Sequence, residues 1–175
     1  MPQPTSSSAA LPIAHVALRI LIIVNWVGGA AILALLVAMP NEQWIMSAFK
    51  LAPSPDADRL ILGLRAVAAL GVLVILLNYV ILKRLLAIVE TVRAGDPFVA
   101  ANAARLHAIA RALLVLQLLS LVIGAIGKAI SSPAHPVNLD AGFSVNGWLA
   151  VLLTFLLARV FAEGTRMRED LAGTV

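Results

Sequence analysis

Four apolar runs decide what this chain can become. They are Val16 to about Met39, Leu60 to about Leu82, Leu106 to about Ile130 and Val145 to Phe161. A helix needs roughly 20 residues to cross a hydrocarbon core of about 30 Å, and each run approaches or exceeds that length. The runs lack the alternation of barrel strands. Backbone in lipid must satisfy its own hydrogen bonds, so each run predicts a helix. Composition agrees, because 61% of residues are hydrophobic and 13% charged, whereas soluble chains are about 45–50% apolar. The expected fold is all-α: an integral membrane four-helix bundle. It forms one domain over residues 11–175, behind a disordered lead of residues 1–10.

Residues 1–18 hold no Lys or Arg, so the first run lacks the positive flank of a signal peptide. It is also longer than a usual signal core, and reads as a retained span. The chain has no cysteine, which excludes disulfides and thiol chemistry. The formal charge of +4 is not taken as a sign of direct nucleic-acid binding. In a membrane protein the placement of the cations matters more. Lys83, Arg84, Arg93, Arg105 and Arg111 flank the second connection, Arg159, Arg166 and Arg168 follow the fourth run, and Arg19 opens the first. Only Lys50, Arg59 and Lys128 lie on the other side, while Arg65 sits about one turn inside the second run, from where it can snorkel outward. Nine against three predicts cytoplasmic termini and a cytoplasmic second connection.

That connection, TVRAGDPFVAANAARL over residues 91–106, carries the most local information. Leu85, Leu86, Ile88, Val89 and Val92 continue a helical pattern beyond Lys83 and Arg84. Gly95 suits the left-handed position that ends a helix. Asp96 suits an N-cap and Pro97 a first helical position. The expectation is one helix from Leu60 to Ala94 and another from Pro97 to Ile130. At 1.5 Å per residue the first is about 52 Å long, so both outrun the bilayer. Helices two and three would therefore extend into a cytoplasmic helical hairpin, residues 83–105, with a cytoplasmic tail, residues 162–175.

Small residues recur every four positions on several runs. Ala100, Ala104, Ala108 and Ala112 mark the third helix, with Leu85, Val89 and Val92 as the opposing ridge. Ala30, Ala34 and Ala38 mark the first run, Ser120 and Gly124 the third, and Ala150, Thr154 and Ala158 the fourth. Such stripes let helices approach closely in lipid. They close the bundle in one reading and join two protomers of a homo-oligomer in the other. Glu90, Arg93, Asn102 and Arg105 are expected to face away from the hairpin seam.

Two stretches resemble a bacterial membrane family, domain of unknown function 2975. The first carries the pattern T-V-x-x-G-x-P-F as Thr91, Val92, Gly95, Pro97 and Phe98, followed by Asn102 and the pair Arg105–Leu106. The second is the tail pattern of Glu163, Gly164, Asp170, Leu171, Gly173, Thr174 and Val175. The resemblance covers the four-span layout and implies a bacterial inner-membrane protein. It also implies a partner, because members often accompany small helix-turn-helix regulators of the Cro/C1 type.

Sharper chemistries find less support. His15 and His107 both lie toward the cytoplasmic side, the geometry of bis-His haem ligation, but no cofactor motif accompanies them. His135 with Asp140 nearby offers at most a loop metal site. Asn25, Asn78 and Gln117 are the polar residues within spans, and too few for an ion pathway; interhelical hydrogen bonding is their expected role. Residues 41–59, around Trp44, Ile45, Phe49 and Leu51, are amphipathic enough for a short interfacial helix. There is no phosphate loop, carboxylate pair or nucleophile elbow. We therefore expect no enzyme and no cofactor.

The sequence points to a binding protein in the lipid bilayer that docks a cytoplasmic partner through the hairpin and tail. The expected contact residues are Glu90, Arg93, Asp96, Phe98, Asn102, Arg105, Glu163, Arg168 and Asp170. In one variant Glu163 or Asp170 of the tail meets Arg93 or Arg105 of the hairpin. The alternative function is a small oligomeric transporter or channel subunit.

Overall fold

The computed structural model describes residues 10–38, 47, 55–132, 137 and 139–172. These contain four long helices: α1 (Ala10–Ala38), α2 (Pro55–Arg93), α3 (Ala100–Ile130) and α4 (Val145–Ala172). All four are long and apolar enough to cross a membrane. The protein is an all-α, multi-pass membrane protein. Most of the 1–10 lead, the amphipathic stretch 41–59 up to Ser54 except Ser47, and His135 lie outside the described residues.

Each helix packs mainly on its neighbour in sequence, α1 on α2, α2 on α3 and α3 on α4. The α1–α2 seam closes over glycine: a Cβ on Gly29 would stand 2.9 Å from the Ile75 side chain. Asn25 reinforces it by donating from Nδ2 to the Ile75 carbonyl at 3.2 Å, as expected of a polar residue within a span. The alanine stripe of α1 does not serve this seam, since Ala30 and Ala34 are exposed.

The α3 stripe departs from expectation too. Ala100 and Ala104 are exposed, Ala108 is half-buried and Ala112 buried. Four residues advance about 400° around a helix, so the stripe drifts about 40° per step and winds from outside to inside. The face that enters the seam carries Asn102, Leu106 and Ile109. Leu106 and Ile109 pack with Ala158 of α4 and with Ile81, Leu85 and Ile88 of α2.

The chain reaches α4 by an unusual route. Non-helical residues 139–142, bent at Asp140 and Gly142, lie against the far half of α3: Leu139 covers Gly127, and the Ala141 carbonyl would stand 2.7 Å from a Cβ on Gly124. Ser120 Oγ donates to the Gly142 carbonyl (3.1 Å) and accepts from its N–H (3.0 Å). Ser120 and Gly124 thus do mark a close approach, but of backbone and not of another helix. Gly147, in the first turn of α4, sits under the amide of Gln117. That amide's Oε1 is buried without a partner among the described residues.

The registers of the helices align their charges. Asn25 opposite Ile75, and Arg105 opposite Ala87, bring Arg19, Lys83, Arg84 and Arg111 to within about a turn of one level. Arg65 and Lys128 share a second level. Between these levels residues 66–82 of α2 and 112–127 of α3 hold no charged side chain. The eighteen steps from Arg65 to Lys83 and the seventeen from Arg111 to Lys128 span about 26 Å, close to the thickness of a hydrocarbon core.

Candidate functional site

Described residues of the two family-like stretches converge where α2 turns into α3, while Gly173, Thr174 and Val175 of the tail pattern lie outside the described residues. Three backbone features close α2. Ala94 N–H donates to the Glu90 carbonyl (3.0 Å), Gly95 N–H to Val92 (3.1 Å) and Asp96 N–H to Thr91 (3.0 Å). The last two are the paired bonds of a Schellman motif, which requires a left-handed residue after the helix end. Gly95 occupies it with φ +84°, as the sequence predicts.

The start of α3 differs from expectation. Asp96 is not its N-cap and Pro97 is not its first residue; Val99 stands at the N-cap with extended backbone and no side-chain cap. Residues 96–99 instead form an irregular link. The physical reason lies on both sides of the peptide bond. A residue before proline is disfavoured in the helical region, and the Asp96 carboxylate is taken by Arg168 of α4.

Asn102 organises the link. It is fully buried, contrary to the expectation that it faces away from the seam. Its Nδ2 donates to Thr91 Oγ1 at 2.7 Å and to the Pro97 carbonyl at 2.9 Å. Its Oδ1 accepts from Arg105 at 2.7 Å. The Thr91 hydroxyl donates to the Ile88 carbonyl at 2.7 Å, which leaves its lone pairs for Asn102. Arg105 also donates to the Ala87 carbonyl at 3.2 Å. Arg105 is thus half-buried and spent on the seam. A buried amide with both donors used is stable where an unpaired one would be costly.

The tail joins the same cluster. α4 continues helically to Ala172 and runs beside the turn, so the hairpin does not stand alone. Phe98 packs on Phe161, with ring centroids 5.4 Å apart. It also covers Gly164, where a Cβ would lie 3.1 Å from the ring. Arg168 pairs with Asp96 and reaches the Phe98 carbonyl at 3.4 Å. The tail therefore meets the hairpin through a cation on the tail and a carboxylate on the turn. That polarity is the reverse of the expected pairing of Glu163 or Asp170 with Arg93 or Arg105.

A shallow cleft of ≈ 290 Å³ opens beside this contact, lined by Phe98, Val99, Ala100, Thr165, Arg168 and Glu169. Glu90 and Arg93 at the end of α2, Glu163 and Asp170 on α4, and part of Phe98 are exposed. Of the sequence-derived contact set, then, Asn102 and Arg105 build the turn, Asp96 and Arg168 tie the tail to it, and the rest face outward. Sequence reasoning missed Phe161 and Thr165. The signal for the first was its spacing of three from Ala158 and Gly164, which places it on the inner face of α4.

The two described histidines, His15 and His107, lie on helices that are not neighbours in sequence. His107 lies beside Phe155 of α4, with centroids 6.2 Å apart, while His15 belongs to α1, which packs on α2.

Comparison with curated proteins and with solved structures finds no match. A family model does match residues 33–175, which hold all the turn and tail residues just described. The chain belongs to that family, Protein of unknown function (DUF2975).

Proposed function

We propose that the protein is a membrane-embedded binding protein that docks a cytoplasmic partner on the surface where the α2–α3 turn meets α4. One observation carries this reading. The turn is pinned by a buried hydrogen-bond network, yet an aromatic edge and a mixed set of charges stay exposed on it. A preorganised surface loses little entropy on binding, so a modest contact area suffices. The docking residues are Glu90, Arg93, Phe98, Glu163, Arg168 and Asp170. Asn102 and Arg105 act behind them by holding the turn. The excess of Lys and Arg at this end supports a cytoplasmic orientation in a bacterial inner membrane, with both termini inside.

The partner suggested by the family resemblance is a small helix-turn-helix regulator encoded nearby. The experiment is co-purification of that regulator from membranes holding wild type, Arg93→Glu or Phe98→Ala. Reduced recovery with unchanged insertion supports the reading. Equal recovery from all three removes this surface from the mechanism. Solute flux through proteoliposomes of purified protein alone would favour the transporter reading instead.

A further inference from the structure

A second surface lies on the α1–α2 seam, away from the turn. Arg19 and Trp26 are seven residues apart on α1, two helical turns, and share a face. Tyr79 and Lys83 are four apart on α2 and share one too. Trp26 and Tyr79 meet with ring centroids 5.3 Å apart, and the Lys83 ammonium stands 5.8 Å from the Tyr79 centroid. Both cations therefore come to one edge of the seam, on the turn-ward side of the aromatic pair. Arg19 lies about 10 Å along α1 from Trp26, and Lys83 about 6 Å along α2 from Tyr79. Among the described residues neither cation has a carboxylate partner.

Away from the turn the edge becomes apolar. Trp26 is 50% exposed, and Leu33, seven residues further along α1, and Leu76, three residues back along α2, are exposed as well. The order along the seam is thus two cations, two amphipathic rings, then aliphatic surface. A phospholipid has the same order: phosphate, glycerol esters, acyl chains. Two unpaired cations on one edge repel each other, and a headgroup of net negative charge relieves that repulsion. A zwitterionic headgroup brings its own cation and relieves it less.

We propose that the Arg19–Lys83 edge is a binding site for an anionic glycerophospholipid. Arg19 and Lys83 hold the phosphate, and Trp26 and Tyr79 flank the first part of an acyl chain. The site is independent of the docking surface at the turn.

The test places the full chain, with Trp44→Phe and Trp148→Phe so that Trp26 is the one tryptophan left, in phosphatidylcholine bilayers. Brominated phosphatidylglycerol or brominated phosphatidylcholine is then added as a trace quencher. The expected result is a severalfold preference for the anionic lipid, about fivefold for each cation engaged. Arg19→Gln with Lys83→Gln should bring the preference close to one. Arg84→Gln with Arg111→Gln removes the same charge from other parts of the same level and should leave it unchanged. Native mass spectrometry of the chain with all its tryptophans should rank lipid adducts in the same order, so the result does not depend on the substituted background. Equal quenching by both lipids in the parent overturns the site. So does a preference that survives loss of Arg19 and Lys83, or one that falls equally when Arg84 and Arg111 are changed.

Discussion

Replacing Asn102 by Ala should loosen the α2–α3 turn while leaving the spans intact. The side chain makes two neutral hydrogen bonds, to Thr91 Oγ1 and to the Pro97 carbonyl, and one with the Arg105 guanidinium. Neutral bonds contribute about 1 kcal/mol each and a charged one about 1.5–3 kcal/mol, so an upper sum is near 5 kcal/mol. Two partners keep other bonds, Thr91 to Ile88 and Arg105 to Ala87. The Pro97 carbonyl has no such reserve among the described bonds. A net local loss of about 3 kcal/mol is the expectation, which is on the order of a hundredfold in an opening equilibrium. Hydrogen exchange in detergent micelles reads it directly. The Asp96 amide should exchange about a hundredfold faster, and amides in the middle of α2 should not change. Asn102→Asp should behave no better, because a carboxylate keeps the Arg105 contact but cannot donate to Thr91 and Pro97. Acceleration below about threefold at Asp96 would refute the role assigned to Asn102.

The other predictions concern single contacts. Gly95→Val should cost about 1–2 kcal/mol of local stability from backbone strain alone, since the space around a Cβ there is open, and Gly95→Asn should cost less; thermal unfolding of the two variants separates them. Asp96→Ala should cost at most about 1 kcal/mol, because it removes a solvent-exposed ion pair and no helix cap; a loss above about 2 kcal/mol in the same assay would restore a capping role. Gly124→Val should push the Ala141–Gly142 backbone off α3 and break both Ser120 bonds, which should appear as a large gain in exchange at the Gly142 amide. With no native cysteine, single-cysteine variants give clean labelling by a membrane-impermeant maleimide. Lys128→Cys should react and Val122→Cys should not, although Val122 is exposed in the protein alone; equal rates would refute the placement of the charge-free layer.

Much of this fold is legible in the sequence because the dominant force is simple. A run of about 20 apolar residues has few alternatives to a membrane helix. The end of α2 is equally legible, since Gly95 lies where a left-handed residue is needed. The start of α3 is not. Asp-Pro is a good local signal for a helix start, but Asp96 has a tertiary partner seventy-two residues away. Asn102 is hidden by a related cause: a polar residue between Ala101 and Ala103 reads as solvated. Its spacing of four from Leu106 and seven from Ile109 does put it on their face, so periodicity held the better clue. Ala30 and Ala34 of α1, and Ala100 and Ala104 of α3, stay off the seams because small residues mark only where approach is permitted, and the α1–α2 contact uses Gly29 against Ile75; Ala112 and Ala158 do lie in the core.

The charge levels and the route into α4 together describe how the molecule sits in lipid. On α3 the charge-free layer runs from Arg111 to Lys128, and Gln117 and Ser120 lie near its middle. Gly147 of α4 is beside Gln117, and Gly142 is bonded to Ser120. So α4 begins at about mid-depth, and the non-helical residues 139–144 run through the far half of the layer. Unpaired backbone at such depth is costly, and it is tolerated where protein covers it. The Ser120 hydroxyl and the Gly124 and Gly127 surface supply that cover. The same offset moves α4 toward the turn. Past the Arg19, Lys83, Arg84 and Arg111 level, α2 rises ten residues further to Arg93, about 15 Å. Because α4 starts late, its last turns reach as far, and Phe98 finds Gly164 beneath it. A fourth helix spanning the whole layer from its far edge would end short of the turn. The non-helical entry at one end of the protein is thus what delivers the tail to the candidate site at the other.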